Sequence, residues 1–352
     1  MKLLLYSLVL CLCPLLMKAE EQIGIGDIEK KKTIIKLFDV DPSDNLVVDN
    51  QFGQVSVGLW DKNEIRIQIT IVANSDSEEK VQNFVDAVSI EEKRTGNQIT
   101  VRTNFSQSSI SNWSLGKWKN GSERNFVKIN YEVMMPRQNA LTVRNKFGNT
   151  NIPAFQAPLT VYSRYGNFKA DELSSRQNDI DVAYGKADIG NLGQGKVDVK
   201  YGDLALTKAN VLILTNKFGK MTIGDVGKLD ADINYSGAKI GTLRESGKIK
   251  LEFSGGFRIE QLPKTVENVN IQAAYSSVAL PFDADNDCDF DVTVSYGNFN
   301  YPSSSPMHFR SQPGDGDNNR GVRLTKQYVG KVGTGSGTKV RVVSKFGNVN
   351  FR

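Results

Sequence analysis

The chain has 352 residues, with 44 Lys and Arg, 39 Asp and Glu, one His, three Cys and a formal net charge of +5. Bases and acids are interspersed rather than blocked, which argues against a nucleic-acid surface. The sparse histidine and cysteine leave little for zinc or thiol chemistry, and no zinc-ligand spacing, nucleophile elbow or phosphate loop occurs.

Residues 1–19 read as a secretory signal peptide: Lys2, an apolar run from Leu3 to Met17, then a polar segment after Ala19. Neither Cys11 nor Cys13 follows the small residue that lipidation needs. Removing these residues takes away Lys2 and Lys18, leaving 42 bases against 39 acids, a net of +3. It also leaves Cys288 as the single cysteine, so no intrachain disulfide is expected. Nothing downstream is apolar enough to span a membrane as a helix.

Residues 20–136 read as a β-rich region. Stretches 32–72, including TIIKLFDV, NLVVDNQFGQVSVGLW and NEIRIQITIV, alternate with period two as half-buried strands do. A helix is predicted over 76–89, where Val81, Phe84, Val85 and Val88 make one apolar stripe behind a Ser75/Glu78 capping box. Its expected role is to pack on the sheet or to cover an open end of the β body. Residues 104–125 read as a long polar loop. Trp113 and Trp118, beside Lys117 and Lys119, read either as anchors that pin this loop onto the β body or as the candidate contacts for a glycan or protein partner, because exposed aromatics stack on sugars or mark partner sites. Asn104, Asn112 and Asn120 each begin an N-x-S sequon.

Residues 137–352 carry a repeat. Phe147, Tyr165, Tyr184, Tyr201, Phe218, Tyr235, Phe253, Tyr275 and Tyr296 each precede a Gly or Ser step, with gaps of 17 to 22 residues, and Phe52 and Phe346 carry the same flanks. Four residues before the aromatic, the column is apolar: Val143, Val161, Ile180, Val197, Leu214, Ala231, Ile249, Ile271 and Val292. Past the glycine, the apolar columns lie three and five residues after the aromatic, as in Leu204 and Leu206. The phase therefore shifts by one residue at the corner. A bend there, with the glycine in a conformation other residues resist, would turn both strands toward one interior. Such units cannot bury their own apolar faces and must stack. The prediction is an all-β parallel β-solenoid about 50 Å long, with the aromatic rings forming an internal ladder. A transmembrane barrel fits less well, because Asp179, Asp181, Lys196, Asp198 and their counterparts make the opposite face polar and aromatic girdles are lacking. Residues 302–338, rich in Pro, Gly, Ser and Asn, read as an insertion interrupting the repeats.

Chemistry is sparse. His308 lies in the insertion with no nucleophile signature near it. Cys288 reads as a small buried hydrophobe. Asp283, Asp285, Asp287, Asp289 and Asp291 lie two apart in FDADNDCDFDV and read either as a polar turn entering a strand or as the start of a calcium loop, although Cys288 stands where Gly is needed and Val294 where the bidentate Glu should be. Calcium is the one candidate cofactor.

Runs such as L-x-V-x-N-K-F-G-N-x-x-I (141–152), V-D-V-K-Y-G-D-L-A-L (197–206) and I-N-Y-E-V-M-M-P (129–136) resemble the putative-adhesin repeat family of Gram-negative bacteria, over roughly residues 32–352. The resemblance implies an exported right-handed β-helix in the periplasm, on the outer-membrane surface or outside the cell, and it carries no catalytic residues. The expected function is a non-enzymatic binding or scaffold protein. The alternative is a polysaccharide-acting β-helix enzyme, which requires Asp283 to Asp291 to converge with basic side chains in one groove.

Overall fold

The computed structural model describes residues 28–106, 126–282, 287–303, 307–313, 324–335 and 337–352. Its 25 strands are hydrogen-bonded into one long sheet that does not close on itself, with one α-helix among the described residues.

Most of the body is a stack of layers, each supplying one strand before the aromatic corner and one after it. Counterparts pair in parallel and in register. Leu159 lies opposite both Leu141 and Asn178, and Ala187 lies opposite Phe168 and Leu204. The apolar columns before and after the corner meet in one core: Val143, Val161, Ile180 and Val197, with Ile189, Leu204, Leu206 and Ile223, are buried. The phase shift in the sequence therefore does turn both strands inward.

The residue that produces the turn is the aromatic, not the glycine. All eleven aromatics of the series have φ between 50° and 63°, the left-handed region that bulky residues avoid at a cost of roughly 1–2 kcal/mol each. The adjoining glycines are required for a different reason. A Cβ on Gly202 would lie 1.9 Å from the Gly185 carbonyl oxygen, and one on Gly166 would lie 2.0 Å from that of Gly148. Each corner thus presses its backbone against the corner of the neighbouring layer. In three successive layers Ser236, Ser254 and Ser276 take this place. There the Ser276 hydroxyl accepts from the Ser254 N–H at 2.8 Å, and the Ser254 hydroxyl donates to the Ile233 carbonyl at 3.0 Å.

Reversal at the aromatic throws its ring outward, so the expected internal ladder is an external one. Ten of the eleven rings are 43–54% exposed. The interior position two residues earlier is filled in several layers by a small buried polar side chain that ties down the corner. Asn145 Nδ2 donates to the carbonyls of Gly53 and Gly148, both at 3.0 Å. Ser163 and Ser344 donate to Gly166 and Gly347 at 3.2 and 3.0 Å. A test follows for the corner: Tyr201→Gly is expected to be more stable than Tyr201→Ala by about 1 kcal/mol, because both lose the ring but only Gly is at ease at this φ. Chemical denaturation of the two variants measures the difference, and equal stability would refute the strained corner.

At the N-terminal end the strand Asn45–Gln51 pairs in parallel with Ala140–Lys146, and Val55–Trp60 with Thr150–Ile152, so stretch 32–72 belongs to the same body. Two antiparallel additions extend this end: Ile28–Asp39 on Glu64–Ser75, and Val88–Thr95 on Gln98–Phe105. The lysines of IEKKKTIIKLFD line the outer strand, a charge pattern that discourages edge-to-edge pairing. The helix runs Glu78–Asp86, shorter than the 76–89 expected, and packs on Glu64–Ser75 and Ile28–Asp39. The predicted capping box is not formed: Ser75 ends a strand, the N-cap is Ser77, and it makes no side-chain cap bond. Val81 and Val85 are buried as the stripe requires, whereas Val88 begins the next strand.

The C-terminal end departs from chain order. Thr338–Lys345 pairs in parallel with Asn268–Ala274 on one side and Cys288–Ser295 on the other. The last repeat in the sequence is thus the penultimate layer in space. Within 302–338, Thr325–Val332 adds antiparallel to Cys288–Ser295, and Met307–Ser311 adds antiparallel to Thr325–Val332.

Candidate functional site: an exposed aromatic ladder

The outward rings stack in the spatial order of the layers: Phe52, Phe147, Tyr165, Tyr184, Tyr201, Phe218, Tyr235, Phe253, Tyr275, Phe346 and Tyr296. Successive centroids lie 4.7–5.1 Å apart with planes inclined by 2–11°. The spacing is that of hydrogen-bonded strands, so the rings repeat the backbone and run about 50 Å. Each stacked pair adds about 0.5–1.5 kcal/mol, which offsets much of the strain beneath it.

Mutual stacking occupies the ring faces and leaves their edges to solvent. None of the six ladder tyrosines hydrogen-bonds through its hydroxyl to another described residue. The first residue of each flank is often basic: Lys146, Arg164, Lys200, Lys217 and Lys345 directly precede a ring, and Lys186 and Lys220 lie two residues after one. Arg164 pairs with Asp181 at 2.8 Å, Lys200 with Asp198 at 2.9 Å and Lys186 with Asp188 at 2.9 Å. Lys146, Lys217, Lys220 and Lys345 form no ion pair among the described residues. Asn149 and Asn167 continue the pattern on the other flank. Their Oδ1 atoms accept the N–H of Asn167 and Lys186, each at 2.9 Å, which satisfies the turn between layers.

The residues singled out from the sequence are dispersed. Trp113, Trp118, Lys117 and Lys119, and likewise Asp283 and Asp285, lie outside the described residues. Asp287 accepts the Thr334 N–H at 2.8 Å, and this bond holds its carboxyl below the usual range. Asp289 pairs with Arg310 at 2.9 Å, and Asp291 accepts from Gln327 at 2.9 Å. No group of three or more His, Cys, Asp or Glu able to hold a metal occurs among the described residues. An open depression of about 460 Å³ beside Asp289 and Arg310 is also lined by Asp291, Lys339 and Arg341. His308 is exposed on the strand Met307–Ser311.

Cys288 is buried as expected, and burial pushes its thiol from the ordinary 9.0 up to about 12. Folding is unaffected by this thiol below pH 9.0. Above it the unfolded chain ionises while the folded one does not, so stability falls as pH rises toward 12. Native protein is expected to leave Cys288 unlabelled by iodoacetamide at mildly alkaline pH, and guanidinium-unfolded protein to label it. Labelling of the native form would contradict the burial.

The ladder is the site that sequence reasoning misplaced. A usable signal was present: a tyrosine buried in a core needs a partner for its hydroxyl, and no column of the repeat offers one to all six.

No protein-family model matches the chain, and no curated protein matches it. Among solved structures it is similar to a putative cell adhesion protein from Clostridium sporogenes, at 10% identity and a TM-score of 0.23, covering 92% of this chain and 99% of that one. It is also similar to a putative adhesin from Bacteroides fragilis, at 10% identity and a TM-score of 0.28, covering 91% of this chain and 97% of that one.

Proposed function

We propose that the protein is an exported, non-enzymatic, adhesin-like binding or scaffold protein. In this reading it is a right-handed parallel β-solenoid acting in the periplasm, on the outer-membrane surface or outside a Gram-negative cell. One observation carries the reading: exposed aromatics occupy left-handed positions that glycine or asparagine would fill without strain, layer after layer. A local rule broken so regularly on the surface points to a selected surface property. Trp113 and Trp118, with Lys117 and Lys119, form a second contact surface in this proposal. The polysaccharide-enzyme alternative rests on Asp289 and Asp291 lining one open depression with Arg310, Lys339 and Arg341, and is less favoured because Asp287, Asp289 and Asp291 are each engaged by a different neighbour.

The test is binding of the exported protein to whole cells and isolated envelopes, with Tyr165, Tyr184 and Tyr201 replaced together by Asn, a residue tolerant of this backbone. Binding lost in the folded variant is the expected result. No binding by the wild type, or binding unchanged by this triple variant and by Trp113→Ala/Trp118→Ala, overturns the proposal.

A further inference from the structure

The geometry points to an anionic lipid surface as the partner of the aromatic ladder, an inference that rests on the ladder being the binding surface. Area is the first argument. A ring of this size presents roughly 150–250 Å² when free, so ten half-exposed rings offer on the order of 1,000 Å². That exceeds the largest apolar patch of a typical monomer, about 300–600 Å². Such a stripe calls for a covering partner.

Charge decides the kind of partner. The residues immediately before each ring and two after it include seven cations, Lys146, Arg164, Lys186, Lys200, Lys217, Lys220 and Lys345, against two acids, Asp203 and Glu252. Seven less two is +5, against a net of +3 for the chain without residues 1–19. Arg164, Lys186 and Lys200 are paired with Asp181, Asp188 and Asp198, and the remaining cations border the apolar stripe. Four of these cations have no ion-pair partner among the described residues, as noted above.

Ring orientation removes the rivals. Sugar stacking needs free ring faces, and here each inner ring has a neighbour on both sides. A second copy, in an antiparallel pairing, would bring the cationic flanks against one another, and like charges repel. A phospholipid headgroup layer suits the arrangement instead. Aromatic edges and tyrosine hydroxyls settle at the boundary between acyl chains and water, as interfacial aromatics do, while the lysines reach phosphates. A bilayer also meets a 50 Å line of rungs along its whole length, without a groove having to be built for it.

Vesicle flotation tests the inference. The exported protein is mixed with vesicles of phosphatidylcholine containing phosphatidylglycerol, and with vesicles of phosphatidylcholine alone, which control for any retained apolar run Leu3–Met17. Flotation with the anionic vesicles only is expected. The variant Lys146→Gln/Lys217→Gln/Lys220→Gln/Lys345→Gln, whose changes are all on the surface, is expected to bind roughly tenfold more weakly or worse. Tyr165→Asn/Tyr184→Asn/Tyr201→Asn, checked by circular dichroism for an intact fold, is expected to lose most flotation. Absence of flotation, or flotation that neither variant weakens, overturns the inference. Blank vesicles combined with ladder-dependent binding to envelopes would overturn the lipid partner and leave the ladder as a binding surface for another ligand. A ladder-dependent dimer in sedimentation would assign the stripe to a second copy and likewise overturn the lipid partner.

Discussion

Replacing Gly202 with alanine is expected to destabilise the protein by about 3 kcal/mol, at the upper end of what forced overpacking costs. The added methyl would sit 1.9 Å from the Gly185 oxygen, and the Gly202 carbonyl is itself 1.9 Å from where a Cβ on Gly219 would be. Neither neighbour is a flexible side chain, and both are held by further layers, so relief in one corner compresses the next. Gly255 supplies the control. Its corner has Ser254 in the critical place, and a Cβ on Gly255 meets nothing within 4 Å. Gly255→Ala is therefore expected to be neutral or slightly stabilising, within about 1 kcal/mol, through the lower entropy of the unfolded chain. Thermal and urea denaturation of both variants reads the contrast. Similar stabilities would mean that the layers part easily at their corners.

Removing residues 338–352 is expected to do more than shorten the stack. The strands Thr338–Lys345 and Val349–Phe351 fill the layer between Asn268–Ala274 and Cys288–Ser295, and Val340, Val342, Val349 and Phe351 are all buried there. Burying four such side chains stabilises by roughly 6–12 kcal/mol. Without them Cys288–Ser295 has no parallel neighbour, and the hairpin built on it loses its attachment. Hydrogen exchange should then show protection lost over 287–303, 307–313 and 324–335 but kept over 159–252. Retained protection at Cys288–Ser295 would contradict the order of layers. The same arrangement makes Cys288–Ser295 wait for the C-terminus before it can dock, a long-range step expected to slow the completion of folding. Val342→Asp, which places a charge in the same layer, is expected to reproduce the truncation in milder form.

Much of the architecture could be read from residue order. The recurring aromatic–glycine step marked the layers, and the apolar columns at Val143, Val161, Ile180 and their successors marked the core. The one-residue change of phase correctly announced a bend. The helix was also visible through Val81 and Val85, although its cap was not, because Ser75 was needed to finish a strand. The candidate site was legible in composition but not in direction. Tyr165, Tyr184 and Tyr201 continue the even phase of Val161, Ile180 and Val197, and an alternating pattern assigns such positions to the interior.

A period-two pattern determines on its own that these strands share a buried face, and a sustained repeat determines that they stack. It cannot reveal that the aromatic itself takes the positive φ, because a bend at the aromatic and a bend at the glycine give the same one-residue change of phase in the flanking strands. Nor can it rank the layers. Octets as alike as NKFGNTNI, NKFGKMTI and SKFGNVNF are interchangeable as pairing partners, so chain order does not dictate stacking order. Only the tertiary structure placed Phe346 between Tyr275 and Tyr296, because the layer left open there was the one whose backbone groups and apolar faces still lacked partners.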